Sequence, residues 1–312
     1  MPTQTTSTNR LLKRSGAMRA LCGLALLVGT PQLAHAEEKA EVKYAQVNGV
    51  KLAYYTRGKG EPLLMIMGFG ATMSMWDPAL LDTLAKNHRL ILFDNRGIGL
   101  SSDTTQDNTT MQQMADDAAG LVEALGFKKT NILAWSMGAR IGQQFVIRHP
   151  DLTNKAVLCA ANPGGKYEDP TDKDVEAELS SPTLPLMDNV ALLYPKNAAG
   201  QQAARDTVAR VNAAKVAGTI PDDFEIPAQG RARQEKARAL WKVDNSNFEA
   251  LKSIKVPVLL SDGRDDIIDK PRNSLIIANQ IPFAWLAFFE GGHAFMFQQH
   301  EKFAETVNVF LK

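Results

Sequence analysis

The chain has 312 residues, 45% hydrophobic and 22% charged, the balance of a folded globular protein long enough to build one large core. Thirty-five basic residues against 34 acidic ones leave a formal net charge of +1, so the composition offers nothing for a nucleic-acid partner.

The charge is unevenly placed. Arg10, Lys13, Arg14 and Arg19 precede an apolar stretch from Ala20 to Val28, and Ala34-His35-Ala36 follows. Basic, apolar and small residues in that order predict an export signal over residues 1–36, cleaved after Ala36, and a periplasmic or secreted address. Its apolar core is too short for a permanent membrane anchor. Removing residues 1–36 takes four basic and no acidic residues, so the mature charge is 1 − 4 = −3. It also removes Cys22, which leaves Cys159 without an internal disulfide partner.

Residues 37–42 form a polar leader. Lys43–Val47 and Val50–Arg57 flank Asn48-Gly49, the dipeptide of a tight hairpin turn. Residues 63–67 and 89–94 read as buried strands, with a helix over about 76–87 between them and His88 at its end. Residues 110–125 place Met111, Met114, Ala118, Leu121, Val122 and Leu125 at helical spacing, and Gly126 ends the run. Asn131-Ile132-Leu133 is a further apolar run, residues 139–147 read as a helix, and 155–160 as another strand. Strands alternating with helices predict an α/β fold with a mostly parallel, doubly wound sheet.

After Ala161 the rhythm breaks. Pro163, Pro170, Pro182 and Pro185 come first, then helical stretches over 201–216 and 231–241. Alternation resumes at Leu251, with strands over 256–261 and 284–289 and a last helix beginning near His300. The expected organisation is a core of residues 37–161 and 248–312 interrupted by a helical cap, residues 162–247, that excludes water and shapes a pocket.

Chemistry concentrates at three strand ends. Ser136 sits in Ala134-Trp135-Ser136-Met137-Gly138, between a strand and a helix. A serine at such a turn has a strained backbone, an outward hydroxyl and a helix N-terminus behind it. The usual pattern is G-x-S-x-G, and Ala134 takes the place of its first glycine. A serine nucleophile needs a base, and the base needs an orienting carboxylate. Asp262, Asp265, Asp266 and Asp269 cluster after one strand, and Glu290-Gly291-Gly292-His293 follows the next. His88 and His149 fit helix C-termini and His300 a helix start, so His293 is the candidate base. No metal-ligand constellation and no phosphate loop occurs, and Gly97-Ile98-Gly99 lacks the third glycine of a dinucleotide site, so no cofactor is expected.

In these segments the chain resembles the α/β-hydrolase family, over roughly residues 43–312. Residues 62–71 look like the family's strand and oxyanion loop, with Met67-Gly68 where His-Gly is usual. Asp94-Asn95-Arg96-Gly97-Ile98-Gly99-Leu100-Ser101 looks like its D-x-R-G-x-G-x-S loop. The resemblance implies Ser136 as nucleophile, His293 as base and, from the G-x-x-D pattern at Gly263 to Asp266, Asp266 as acid with Asp265 its chief rival. It implies an oxyanion hole made by the backbone N–H groups of Phe69 and Met137, where side-chain identity matters little. Met65, Met67, Met73, Met75 and Met137 read as core residues that also suit flexible apolar walls. The implied activity is hydrolysis of a small-molecule, apolar carboxylic ester through an acyl-enzyme. Carbon–carbon bond hydrolases, lactonases and cofactor-free haloperoxidases fit the same elbow. A non-catalytic binding protein on this scaffold would be marked by loss of a triad member.

Overall fold

The computed structural model describes residues 39–104, 106, 109–181 and 190–312, and the expected export signal lies outside them. Its strands are β1 (Lys43–Val47), β2 (Val50–Arg57), β3 (Glu61–Ile66), β4 (His88–Phe93), β5 (Thr130–Trp135), β6 (Thr153–Cys159), β7 (Val258–Gly263) and β8 (Ala284–Phe289). They form one eight-stranded sheet in the order β1-β2-β4-β3-β5-β6-β7-β8. Only the β1–β2 and β2–β4 pairings are antiparallel. The hairpin turns at Asn48 (φ 46°) and Gly49 (φ 79°), residues suited to the left-handed region that such a turn requires. β5 is buried at every position, as a central strand covered on both faces must be.

Helices α1 (Pro78–Leu84), α2 (Met111–Ala124) and α3 (Met137–Arg148) alternate with the first strands. Then come α4 (Lys173–Ser180), α5 (Ala198–Ala217), α6 (Ala228–Val243) and α7 (Ser246–Ala250), and after β7 α8 (Pro271–Ala278), α9 (Phe295–Gln298) and α10 (His300–Leu311). α2, α3 and α8 cover one face of the sheet through a core holding Leu121, Phe145 and Ile277. α1, α9 and α10 cover the other through Leu80, Phe295 and Phe303. Between β6 and β7 no strand occurs among the described residues, so this helical insertion leaves the sheet rhythm untouched. Trp241 of α6 ties it to the core by packing among Phe145 and Leu251, while its indole N–H donates to Asn162 Oδ1 at 2.8 Å at the start of the insertion.

Two local expectations are corrected. The first helix is shorter than residues 76–87, because Asp77 caps it by accepting from the Ala79 N–H and Pro78 occupies its first position. His88 does not end that helix. It opens β4, is buried, and its Nε2–H donates to Asn308 Oδ1 at 2.9 Å. Burial lowers its pKa against the opposing pull of Asn308 and Glu61, so it is no cation for a helix terminus. α4 also arises inside the proline-bearing stretch, ahead of the helices expected there.

Topology fixes where a site forms. From β3 the chain moves to β4 on one side, and from β5 it moves to β6 on the other. Connections leaving the carboxyl ends of β3 and β5 therefore diverge, and such a switch point opens a crevice.

Candidate active site

Ser136 stands at that crevice, directly after β5, at φ 60° and ψ −125°. A non-glycine residue there is strained, and packing on both sides imposes the strain. A Cβ on Gly138 would lie 2.2 Å from the Ile66 carbonyl oxygen and 2.7 Å from that of Met67, so α3 starts hard against the end of β3. The departure at Ala134 has its own compensation. A Cβ on Gly142 would lie 2.9 Å from the Ala134 methyl, so one turn into α3 a glycine leaves the room that Ala134 fills.

β7 and β8 bring the other two groups. A Cβ on Gly263 would lie 2.1 Å from the Gly292 carbonyl oxygen, so the glycine lets the turn after β7 touch the loop after β8. Asp266 Oδ1 accepts from the backbone N–H groups of Ile268 (2.7 Å) and Asp269 (3.1 Å). Its Oδ2 accepts from His293 Nδ1–H at 2.7 Å. The Ser136 hydroxyl donates to His293 Nε2 at 2.7 Å. Trp135 steadies the loop, its indole N–H donating to the His293 carbonyl at 2.9 Å. Asp265, the rival acid, is exposed on the same turn, and its backbone N–H donates to the Gly291 carbonyl.

The electrostatics follow burial. Desolvation alone would lower the His293 pKa, but the charge and hydrogen bond of Asp266, together with Asp269, outweigh it and Arg140, and the pKa is raised. Asp262, also buried on β7, is pushed well up by desolvation and by the Asp266 charge beside it. It accepts from Ser274 Oγ–H at 2.7 Å.

The loop after β3 passes over Ser136. A Cβ on Gly68 would lie 3.1 Å from the Ser136 Cβ. The N–H groups of Phe69 and Met137 donate no hydrogen bond among the described residues, while the next amide, Gly70, donates to Gln234 Oε1 at 2.8 Å. Among the described residues these two amides, on the loop that passes over Ser136 and on the residue after it, are left without an acceptor. Asp94 braces the loop from beneath, accepting from the N–H groups of Met73 (2.7 Å) and Leu100 (2.8 Å). Ser101 and Ser102 spend their hydroxyls on β2 backbone amides and stay out of the site.

Ser136, His293, Phe69 and Met137 open onto a cavity of about 360 Å³. The insertion supplies other walls, among them Leu179, Phe224 and Ile226. Met75 and Met137 line it, whereas Met65, Met67 and Met73 are packed in the core. A more open hollow of about 440 Å³ lies at the amino ends of the strands, by Glu61, Lys129 and Lys255, and touches none of these groups. No metal-holding cluster of His, Cys, Asp or Glu is present among the described residues.

Sequence reasoning missed Gln234, which pins the oxyanion-type loop from a hundred and more residues away, and Arg140. Arg140 had a signal: it is a charged residue in the apolar face of the helix behind Ser136, where a cation is buried only with a partner. That partner is Asp269, whose Oδ1 accepts from Arg140 Nη2 at 2.9 Å.

The model of the alpha/beta hydrolase fold family matches residues 61–299. A Mycobacterium tuberculosis protein provisionally named a non-heme bromoperoxidase, BpoC, is 27% identical over 268 residues, covering 81% of this chain and 94% of that one. A provisionally named carbamate hydrolase, RutD, from Caulobacter sp. (strain K31) is 28% identical over 261 residues, covering 80% of this chain and 90% of that one. Among solved structures, an alpha/beta hydrolase fold protein from Chitinophaga pinensis superposes with a TM-score of 0.78 at 29% identity, covering 88% of this chain and 98% of that one. The enol-lactonase from Burkholderia xenovorans LB400 superposes with a TM-score of 0.70 at 22% identity, covering 86% of this chain and 99% of that one, a likeness of fold.

Proposed function

The chain belongs to the α/β-hydrolase fold family, and from that premise we propose that it is a serine hydrolase cleaving carboxylic esters through an acyl-enzyme. One observation carries the reading: Ser136, His293 and Asp266 form an unbroken hydrogen-bonded chain, 2.7 Å and 2.7 Å, beneath two unengaged amides.

His293 Nε2 takes the Ser136 proton as Oγ attacks the carbonyl carbon. Asp266 keeps Nδ1 protonated and balances the imidazolium that forms. The negative charge on the former carbonyl oxygen falls to the N–H groups of Phe69 and Met137, each worth roughly 3 kcal/mol in the transition state. His293 then protonates the departing alkoxide. Water, deprotonated by the same nitrogen, attacks the acyl-enzyme and releases the acid.

Fold membership alone does not select the bond that breaks. The relatives' names span a bromoperoxidase, a carbamate hydrolase and an enol-lactonase. An ester is the reading taken because the groups in hand, a nucleophile, a base and two oxyanion donors, are those acyl transfer to oxygen requires. A binding protein on this scaffold has no need to keep all three side chains in hydrogen-bond register. The proposal includes export, motivated by the basic, apolar and small-residue order of residues 1–36.

The test is covalent. A fluorophosphonate should add to Ser136 stoichiometrically, located by peptide mass, and abolish turnover of 4-nitrophenyl esters. Full ester turnover by the Ser136→Ala protein would sink the acyl-enzyme mechanism.

A further inference from the structure

The walls of the Ser136 cavity carry three guanidinium groups, Arg140, Arg231 and Arg238, and no carboxylate among the described residues. Such a lining is not what an apolar ester alone asks for. Arg140 is 3% exposed, and its Nε and Nη1 are buried without a hydrogen-bond partner. Its Nη2 alone is engaged, by Asp269. Leaving buried donors of a cation unpaired is costly, and native proteins rarely do it without a ligand or water to satisfy them.

The Arg140 charge is paired with Asp269, whereas among the described residues that of Arg231 is not ion-paired. Arg231 Nη2 donates to the Leu179 carbonyl at 3.3 Å. Burial lowers its pKa, Glu235 opposes that, and neighbouring Arg238 lowers it further. Arg238 is matched, by Glu176 and Glu235. Arg231 and Arg238 each hold their guanidinium 4.6 Å from the centre of the Phe69 ring, which lines the same cavity as Ser136. Glu168 does not line the cavity, and burial raises its pKa against the opposing charge of Arg140. Leu179, Phe224 and Ile226 make the remaining wall apolar.

We propose that the substrate is a carboxylate-bearing ester, its anionic group held by Arg140 and Arg231 and its apolar body against the insertion, with its scissile carbonyl at Ser136. This rests on the serine-hydrolase reading and names the substrate class for that site. A planar carboxylate matches the guanidinium fork.

The test compares two activated esters of equal acyl length, 4-nitrophenyl pentanoate and mono-4-nitrophenyl glutarate, which differ by a terminal methyl against a carboxylate. Full-length mature protein should prefer the charged ester by tenfold or more in kcat/KM, carried mainly by KM, since a charge-assisted hydrogen bond is worth about one to two decades. Arg231→Gln and Arg140→Gln should each lower the charged-to-neutral ratio at least fivefold. The ratio is taken within one sample, so a variant's folded fraction cancels. If Arg140→Gln strands Asp269 and fails to fold, the wild-type ratio and Arg231→Gln still decide. Turnover of the neutral ester with a ratio at or below one overturns the anionic subsite and leaves the hydrolase standing. No turnover of either ester, with no fluorophosphonate adduct at Ser136, overturns both.

Discussion

Replacing Gly138 by alanine tests whether the site depends on the contact between the start of α3 and the end of β3. The added Cβ would meet only backbone, the Ile66 oxygen at 2.2 Å, the Met67 oxygen at 2.7 Å and the Ile66 carbonyl carbon at 2.8 Å. A relaxed carbon–oxygen contact needs about 3.3 Å, so helix and strand end must separate by roughly 1 Å. Met137 N–H rides on the helix and Phe69 N–H on the loop leaving β3, so that shift spreads the two donors. A misplacement of about 1 Å costs on the order of a hundredfold in rate, as does losing one oxyanion donor. Stability suffers less. Overpacking costs about 1–3 kcal/mol, while alanine returns up to about 1 kcal/mol of helix propensity. The net corresponds to a Tm drop of at most about 8 °C in a domain of this size. Gly142→Ala is the comparison, because its Cβ meets the Ala134 and Leu158 side chains at 2.9 Å and no backbone, one turn further from the two donors. Steady-state ester kinetics, with active sites counted by fluorophosphonate titration, should show kcat about a hundredfold down for Gly138→Ala and within a few fold of wild type for Gly142→Ala. A folded Gly138→Ala protein with wild-type kcat refutes the reasoning.

Ser136→Ala, His293→Ala and Asp266→Asn should each lower ester kcat by orders of magnitude, with Ser136→Ala/His293→Ala hardly worse than either single change; Asp265→Asn, altering an exposed side chain, should stay near wild type, and the reverse ranking of the two aspartates would reject the acid assignment. Because the His293 pKa is raised, kcat/KM should fall on the acid side with a midpoint above the ordinary histidine value of about 6.5, and a midpoint below about 6 contradicts this. The same shift means that the folded protein binds this proton more tightly than the unfolded chain, so its stabilising contribution is complete below about pH 6.5 and is lost as pH rises through the folded value. Gln234→Met removes the acceptor for the Gly70 N–H and should lower kcat about tenfold with little change in KM, read by initial rates. Protein recovered from the periplasm should begin at Glu37 by intact mass, and a soluble periplasmic form retaining residue 1 would contradict export.

The strand-to-helix elbow, the alternation of strands and helices, and the Ser, Asp, His order after β5, β7 and β8 were legible in the sequence. Each is a local property: hydrophobic period, turn residues and short motifs act within a few positions of the chain. What required the tertiary structure was everything that depends on residues distant in sequence meeting in space. Asp265 and Asp266 are chain neighbours; the G-x-x-D spacing from Gly263 favours Asp266, but only the closure of the β7 turn on the Gly291-Gly292 loop buries it and exposes Asp265. Ala134 reads as a defect in the elbow until Gly142 is seen to supply the missing space. The helix expected over 76–87 stops at Leu84, and His88 goes into the sheet, because β4 must begin there to pair with β2 and β3. The character of the pocket was the least legible feature. Arg140 and Arg231 lie on α3 and α6, 231 − 140 = 91 residues apart; Arg140 stands out in the sequence as a charge in an apolar helix face, but Arg231 reads as an ordinary helix cation. Their convergence on one cavity is set by how the insertion packs over the sheet, and charge acts through distance in space, not along the chain.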